Sequence, residues 1–269
     1  MGEKKDAAMK RNGLIPLQGG YVYGPINSRR LGNSLGINAF PLGMKICSFN
    51  CVYCQYGWTR PDTLTGNEAV DGFPDIETVA LALKTRMRNL RDIGIDLKYI
   101  TFAGNGEPTM HPMFPELVDM VTKLRDEYYP EAWTTILSNS TLAYKPRVRD
   151  GLNKLDQRIM KLDAGSNELL RRINAPVGEF TIEKIIEGLL SLKNCTLQSL
   201  FIQGRTTNAD DRSVAEWIEN VKTVRPEFVQ IYSIDRVPAD RDLEIVGQER
   251  LKEIAKRLME ETGIKSGVY

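Results

Sequence analysis

Cys47-Ser-Phe-Asn-Cys51-Val-Tyr-Cys54 puts three of the chain's four cysteines within eight residues. With three and then two residues between them, the thiolates share one compact loop that can aim them at a single soft metal centre. Three ligands are too few to close such a centre. An iron–sulfur cube held by three cysteines keeps one iron with an open position for a small molecule. An open position is what separates a catalytic metal site from a structural one. Zinc and dithiol redox chemistry are the alternatives. Structural zinc wants a fourth nitrogen or sulfur ligand, and the single histidine, His111, lies far along the chain in a proline-flanked loop. A Cys51–Cys54 redox pair leaves Cys47 idle and does not open a helix after a strand. Cys195 stands alone after a helical stretch and reads as a small buried hydrophobe.

Outward from this loop the composition is that of an ordinary globular protein. The 269 residues, 42% hydrophobic and 26% charged, suit one large domain with a substantial core. We expect a flexible tail over residues 1–20 and a single domain over 21–269. No apolar run approaches the roughly 18 residues of a membrane span, so no membrane partner is expected. The opening Met1-Gly-Glu-Lys-Lys-Asp6 is polar and lacks an apolar signal core. Free thiols beside a cluster motif argue for a reducing cytoplasm and against disulfides. Net charge is +1, so no global basic field advertises nucleic acid. The short basic clusters at Arg29-Arg30, Lys84–Arg91, Lys145–Arg149 and Arg171-Arg172 read as solvated faces with acidic neighbours.

After the cysteines, strand and helix alternate. Apolar residues at helical spacing predict helices over Ile76–Leu90, Met113–Tyr128, Pro146–Leu155, Ile182–Lys193, Ser213–Val224 and Gln248–Thr262. Short β-branched or apolar runs predict strands at Tyr99–Ala103, Trp133–Leu137, Ile159–Leu162, Leu197–Gln203 and Phe228–Ser233, with Ser34–Ala39 ahead of the cysteines. Such alternation implies parallel pairing through right-handed crossovers. Six units are too few for a closed eight-stranded barrel. The expected architecture is therefore α/β, an open partial (β/α)6 TIM-like barrel. Working residues in such barrels sit where strands end. Cys47–Cys54, Gly104–Glu107, Ser138-Asn139, Asp163, Gln203 and Asp235-Arg236 all follow strands on one rim. Period-two alternation puts Lys161 and Asp163 on one face, paired with each other or with a ligand.

The cysteine spacing with Tyr53 just before the last cysteine resembles the radical S-adenosyl-L-methionine (SAM) superfamily. Gly24-Pro-Ile-Asn-Ser-Arg-Arg-Leu-Gly-Asn-Ser-Leu-Gly36, Gly104-Asn-Gly-Glu-Pro-Thr109, Lys161-Leu-Asp-Ala164 and Arg172-Ile-Asn-Ala-Pro176 resemble its group related to wyosine tRNA synthases. The likeness runs from about Gly24 to Asp240. It implies a 4Fe-4S cluster on Cys47, Cys51 and Cys54, with SAM chelating the open iron. It also implies reductive cleavage of SAM to a 5′-deoxyadenosyl radical, fed by an external flavodoxin- or ferredoxin-like electron donor. Glu107 would accept hydrogen bonds from the SAM ammonium. Gly104, Asn105 and Gly106 would let backbone approach the ligand, Asn105 standing where the superfamily usually has glycine. Ser138 and Asn139 would meet ribose hydroxyls and the methionyl carboxylate, or cap the turn before Thr141. Tyr53 would shield the cluster near the adenine. Lys161, Asp163, Gln203 and Asp235-Arg236 would contact SAM or substrate. Apart from the resemblance, Arg29-Arg30 ahead of the first strand reads either as a contact for a substrate phosphate or carboxylate or as plain surface charge.

Wyosine synthases carry additional N-terminal cysteines for a second cluster, and no cysteine precedes Cys47 here. With the near-neutral charge, this argues against a tRNA substrate. We expect hydrogen-atom abstraction from an unidentified small molecule or nucleotide, with nucleic acid possible but not favoured. A glycyl-radical activase is an alternative. A non-enzymatic iron–sulfur sensor would not need Glu107, Asn139 and Asp163 on the same rim.

Overall fold

Six strands lie side by side in chain order, each parallel to the next. They are β2 (Gly32–Ile37), β3 (Tyr99–Phe102), β4 (Trp133–Ser138), β5 (Gln157–Lys161), β6 (Thr196–Gly204) and β7 (Phe228–Ser233). This is the computed structural model, which describes residues 13–66 and 70–269. Among the described residues seven α-helices cover the sheet: α1 (Ile76–Asp92), α2 (Phe114–Tyr128), α3 (Pro146–Leu152), α4 (Asn167–Ile173), α5 (Ile182–Leu190), α6 (Asp211–Val224) and α7 (Gln248–Thr262). β1 (Val22–Ser28) pairs antiparallel with β2, and β9 (Ser266–Val268) adds a parallel edge to β7. These two strands are the ends of the path, so the sheet is open rather than closed.

Side-chain alternation along the strands explains the architecture. Leu35, Ile37, Ile100, Phe102, Ile136 and Met160 are buried in the apolar core. Their neighbours Ser34, Gly36, Thr101, Leu137 and Lys161 face the lumen, which is left partly polar. The helices answer with apolar stripes: α6 buries Val214, Trp217, Ile218 and Val221, at i, i+3, i+4 and i+7. Its start is fixed by Asp210, whose carboxylate accepts from the Ser213 amide. Trp217 also ties β5 to β6. Its indole Nε1 donates to the Leu162 carbonyl and to Ser199 Oγ, both at 3.1 Å.

Several elements depart from the sequence expectation. The hairpin strand β1, the short α4, β9, and β8 (Leu243–Ile245), antiparallel on the end of β6, carry no periodic signal. The helices expected to reach Leu155 and Lys193 stop at Leu152 and Leu190. Within the expected tail over residues 1–20, Ile15 N–H donates to the Gln55 carbonyl at 2.9 Å beside the cysteine loop, and the Gln18 amide donates to Asn105 Oδ1 in the glycine loop at 2.7 Å. Residues 1–12 lie outside the described residues. No described helix is long and apolar enough to cross a membrane.

Candidate active site

The lumen opens into a cavity of about 520 Å³, and the three cysteines, Glu107, Asn139 and Lys161 are all on its wall. The cysteine loop is held from two sides. On one, Ile46 N–H donates to the Asn105 carbonyl and Glu107 N–H to the Ile46 carbonyl. On the other, Asn50 and Val52 donate to the carbonyls of Asn174 and Ile173 at the end of α4. Each sulfur has its own N–H donors. Cys47 Sγ receives Phe49 N at 3.5 Å and Asn139 Nδ2 at 3.7 Å, and Cys51 Sγ receives Asn174 Nδ2 at 3.4 Å. Cys54 Sγ receives the Lys45 ammonium at 3.2 Å, which also donates to the Gly57 carbonyl at 2.6 Å.

Burial pushes the Cys51 thiol up to about 11 and the Cys47 thiol higher still. Bare thiolates are therefore unfavourable in this loop, whereas metal ligation deprotonates a thiol outright. N–H groups aimed at sulfur are the outer contacts that stabilise ligating cysteines. Among the described residues no three His, Cys, Asp or Glu side chains form a site for one ion. A four-iron cluster would take each of the three sulfurs at a different iron, which this donor set allows. His111 is no fourth ligand. Its Nε2 meets the Pro74 carbonyl at 3.0 Å and its Nδ1 accepts from Met113 N at 3.1 Å. Cys195 lies in the apolar core as expected of a small hydrophobe.

Glu107 follows β3 and is buried. One carboxylate oxygen accepts from Thr109 N, Thr109 Oγ1 and Ser138 Oγ, the other from the Asn139 amide. Burial raises its pKa, and these donors partly oppose the rise. Asn139 links Glu107 to the cysteines. Its side chain donates to Cys47 Sγ and accepts from Thr141 N and Oγ1, so the turn cap also reaches the cysteine loop. Gly104 and Gly106 have φ of +147° and +146°. A Cβ on Gly106 would lie 1.7 Å from the Ile46 carbonyl oxygen. The close approach that Gly106 permits is thus to the cysteine loop, and that of Gly104 is to Asn38 after β2. Asn105 differs from expectation: its side chain pairs with the Gln18 backbone and does not line the cavity.

On the opposite wall Lys161 Nζ sits 3.2 Å from Asp163 Oδ1 and donates to the Tyr232 hydroxyl at 2.8 Å. Asp163 also accepts from Leu200 N, Asn174 Nδ2 and the Tyr53 hydroxyl. Burial opposes the charge on Lys161, but Asp163 and Tyr232 outweigh it and hold the ammonium protonated. Burial and Asp163 together raise the Tyr53 hydroxyl well above its ordinary range. Gln203 departs from the expected set. Its side chain donates to the Ile245 carbonyl on β8 and is absent from the cavity wall. Asp235 and Arg236 lie at the cavity edge, paired with Arg29 and with Gln55. Lys45, Gln198, Tyr232 and Asn174 were not singled out as site residues. Asn174 belongs to the Arg172–Pro176 motif, and Gln198 and Tyr232 occupy inward positions of β6 and β7, signals that could have found them.

The fold and site define a radical SAM enzyme: the family model of the radical SAM superfamily matches residues 42–234, and the chain belongs to that superfamily. Among curated proteins, UPF0026 protein slr1464 of Synechocystis is 32% identical over 227 residues, 83% of this chain and 79% of that one. A Brachyspira hyodysenteriae protein named GTPase Obg is 29% identical over 238 residues, covering 87% of this chain but 33% of its own length. The chain thus spans about a third of that relative. Among solved structures, TYW1 with a lysine–pyruvate adduct bound shares the fold, with a TM-score of 0.59 at 18% identity over 86% of this chain and 74% of that one.

Proposed function

We propose that Cys47, Cys51 and Cys54 hold a 4Fe-4S cluster and that Glu107 seats the ammonium of SAM beside it, for hydrogen-atom abstraction from a small molecule or nucleotide. One observation carries the reading. Glu107, 2% exposed, accepts from four neutral donors and, among the described residues, has no cationic side chain as partner. A buried carboxylate in that state fits a ligand that brings its own ammonium. Bound there, the cluster would pass an electron from an external donor to SAM and so supply one-electron chemistry for hydrogen-atom abstraction. The chain does the rest. Asn139, Asn174 and Lys45 orient the cysteine sulfurs, and Ser138 and Thr109 hold the Glu107 carboxylate toward the cavity. Tyr53, fixed by Asp163 and Asn174, packs beside Cys51 and keeps water from it. Free cysteines in such a loop suit a reducing cytoplasm and an external flavodoxin- or ferredoxin-like donor.

Anaerobic reconstitution tests the reading. We expect iron near four per chain and an electron paramagnetic resonance signal that changes on adding SAM. The triple variant Cys47→Ala/Cys51→Ala/Cys54→Ala should lose both. Iron near four in that variant would require other ligands and would sink the proposal.

A further inference from the structure

Among the described residues, one cation of the cavity wall has a guanidinium nitrogen left without a partner. Arg30 stands in the turn between β1 and β2, and its guanidinium lies over the Tyr232 ring, 4.5 Å from the centroid. Its Nη1 is shut off from water and has no hydrogen-bond partner among the described residues. The neighbouring cations are spoken for. Arg29 pairs with Asp235, Lys161 with Asp163, Lys45 with Cys54 and Gly57, and Arg236 with the Gln55 amide. A buried guanidinium nitrogen without an acceptor costs free energy unless something completes it.

The completing group is not the carboxylate of SAM, if Glu107 holds the ammonium as proposed. Those two groups share one carbon, so fixing one keeps the other at its side. Glu107 follows β3, whereas Arg30 stacks on β7, four strands further along the sheet. The space between them belongs to the lumen, where a second molecule would sit. Tyr232 holds the guanidinium flat by cation–π contact, and Lys161, donating to the Tyr232 hydroxyl, adds a second positive charge nearby. Leu31, Leu137, Leu200 and Ile234 contribute apolar wall in the same cavity.

We infer that the substrate carries a compact oxyanion, a carboxylate or a phosphate, and that the Arg30 guanidinium turns its unpartnered Nη1, shut off from water in the structure, toward the lumen to bind it. The inference rests on the proposed SAM site. It makes Arg30 a specificity-determining residue, with the anion anchored on the β7 wall and the rest of the substrate reaching toward the cysteines. A planar fork with an unused N–H group is built for such oxygens.

Calorimetric titration of the anaerobically reconstituted protein, with SAM present, tests this with inorganic phosphate and with acetate. Both probes are small enough to reach Arg30 whatever the remainder of the substrate. We expect at least one to bind, and its affinity to fall roughly tenfold to a hundredfold in Arg30→Met, which keeps an apolar contact with Tyr232. Arg29→Met, whose charge is already paired with Asp235, should keep that binding. Phosphate bound in preference to acetate assigns a phosphorylated substrate, and the reverse a carboxylate. Failure of both probes to bind, or equal binding by wild type and Arg30→Met, overturns the inference. So does equal loss in Arg29→Met, which would reduce the effect to general rim charge. The SAM response of the cluster signal is read on the same samples. A wild type that ignores SAM fails the enzyme reading by itself. An Arg30→Met protein that alone loses the SAM response moves Arg30 into the SAM site, and the enzyme class still stands.

Discussion

Two side chains at the cysteine rim have separable roles that substitution can read. Glu107→Gln keeps the shape but removes the charge that would face an ammonium. A charge-assisted hydrogen bond is worth about 1.5–3 kcal/mol, so SAM affinity should fall roughly tenfold to a hundredfold. Iron content should stay unchanged; unaltered SAM affinity would reduce Glu107 to a turn residue. Lys45 acts on the cluster instead, because its ammonium lies 3.2 Å from Cys54 Sγ and the side chain is buried. Reduction adds negative charge beside it, and that charge is stabilised by the cation. Lys45→Met should therefore lower the midpoint potential, by on the order of 59 mV for each tenfold change in a one-electron equilibrium. A redox titration that finds the same midpoint would remove Lys45 from that role. The difference in legibility between the two residues is instructive. Glu107 sits in a glycine loop after a strand, a pattern visible along the chain. Lys45 is two residues from Cys47 in a stretch without periodicity, and only the fold of the loop brings it back to Cys54. Arg30 was visible as a basic residue, but its stacking on Tyr232 depends on a pairing across some two hundred positions.

Among the elements, the six parallel strands were readable because each is a short apolar run bounded by turn residues, and their helices carry full apolar stripes. β1 was not, because Val22–Ser28 mixes glycine, proline and polar residues, and much of it stays partly exposed. α4 has seven residues, about two turns, too few for a helical period to stand out. Yet α4 matters: its last residues receive the cysteine loop, through the carbonyls of Ile173 and Asn174. The glycine loop is the other clamp. Gly106→Ala would place a methyl group 1.7 Å from the Ile46 oxygen at a φ of +146°, forcing the Ile46–Gly106 bridge apart. Backbone strain alone is on the order of 1–3 kcal/mol, and the collision adds to it. Gly94 offers the comparison, at φ +72° with nothing within 4 Å of an added Cβ. Gly94→Ala should cost about 1 kcal/mol. Thermal unfolding of both variants should give a clearly larger fall in Tm for Gly106→Ala, together with loss of SAM binding. Equal falls would mean that the approach to Ile46 does not hold the loop.

At the scale of the whole molecule, the open sheet gives the lumen a lateral mouth, and the charge around the protein bears on what can come to it. A polyanion such as tRNA needs several Lys and Arg free to meet phosphates, and its binding then falls steeply with salt. Some of the basic residues in the clusters seen in the sequence meet acids in the fold. Arg147 meets Glu116 at 2.6 Å, Arg149 and Arg172 have Asp150 and Glu168 at 3.8 and 3.9 Å, and Arg29 pairs with Asp235. These exposed pairs contribute little to stability, but each offsets a positive charge that a phosphate would otherwise feel. The net charge of +1 leaves no long-range attraction to replace them. Arg30 lies on the wall of the lumen, which is large enough for a small anion and too narrow for a helical backbone. We therefore predict that unmodified tRNA binds no better than the roughly 10⁻⁴–10⁻⁶ M of non-specific association at physiological salt. Titrations at 50 and 200 mM salt should show weak binding at both, with a shallow dependence. Tight binding that collapses between the two concentrations would point to a phosphate-tracking surface assembled from Lys145–Arg149 and Arg171-Arg172, and would return tRNA to the front of the substrate classes.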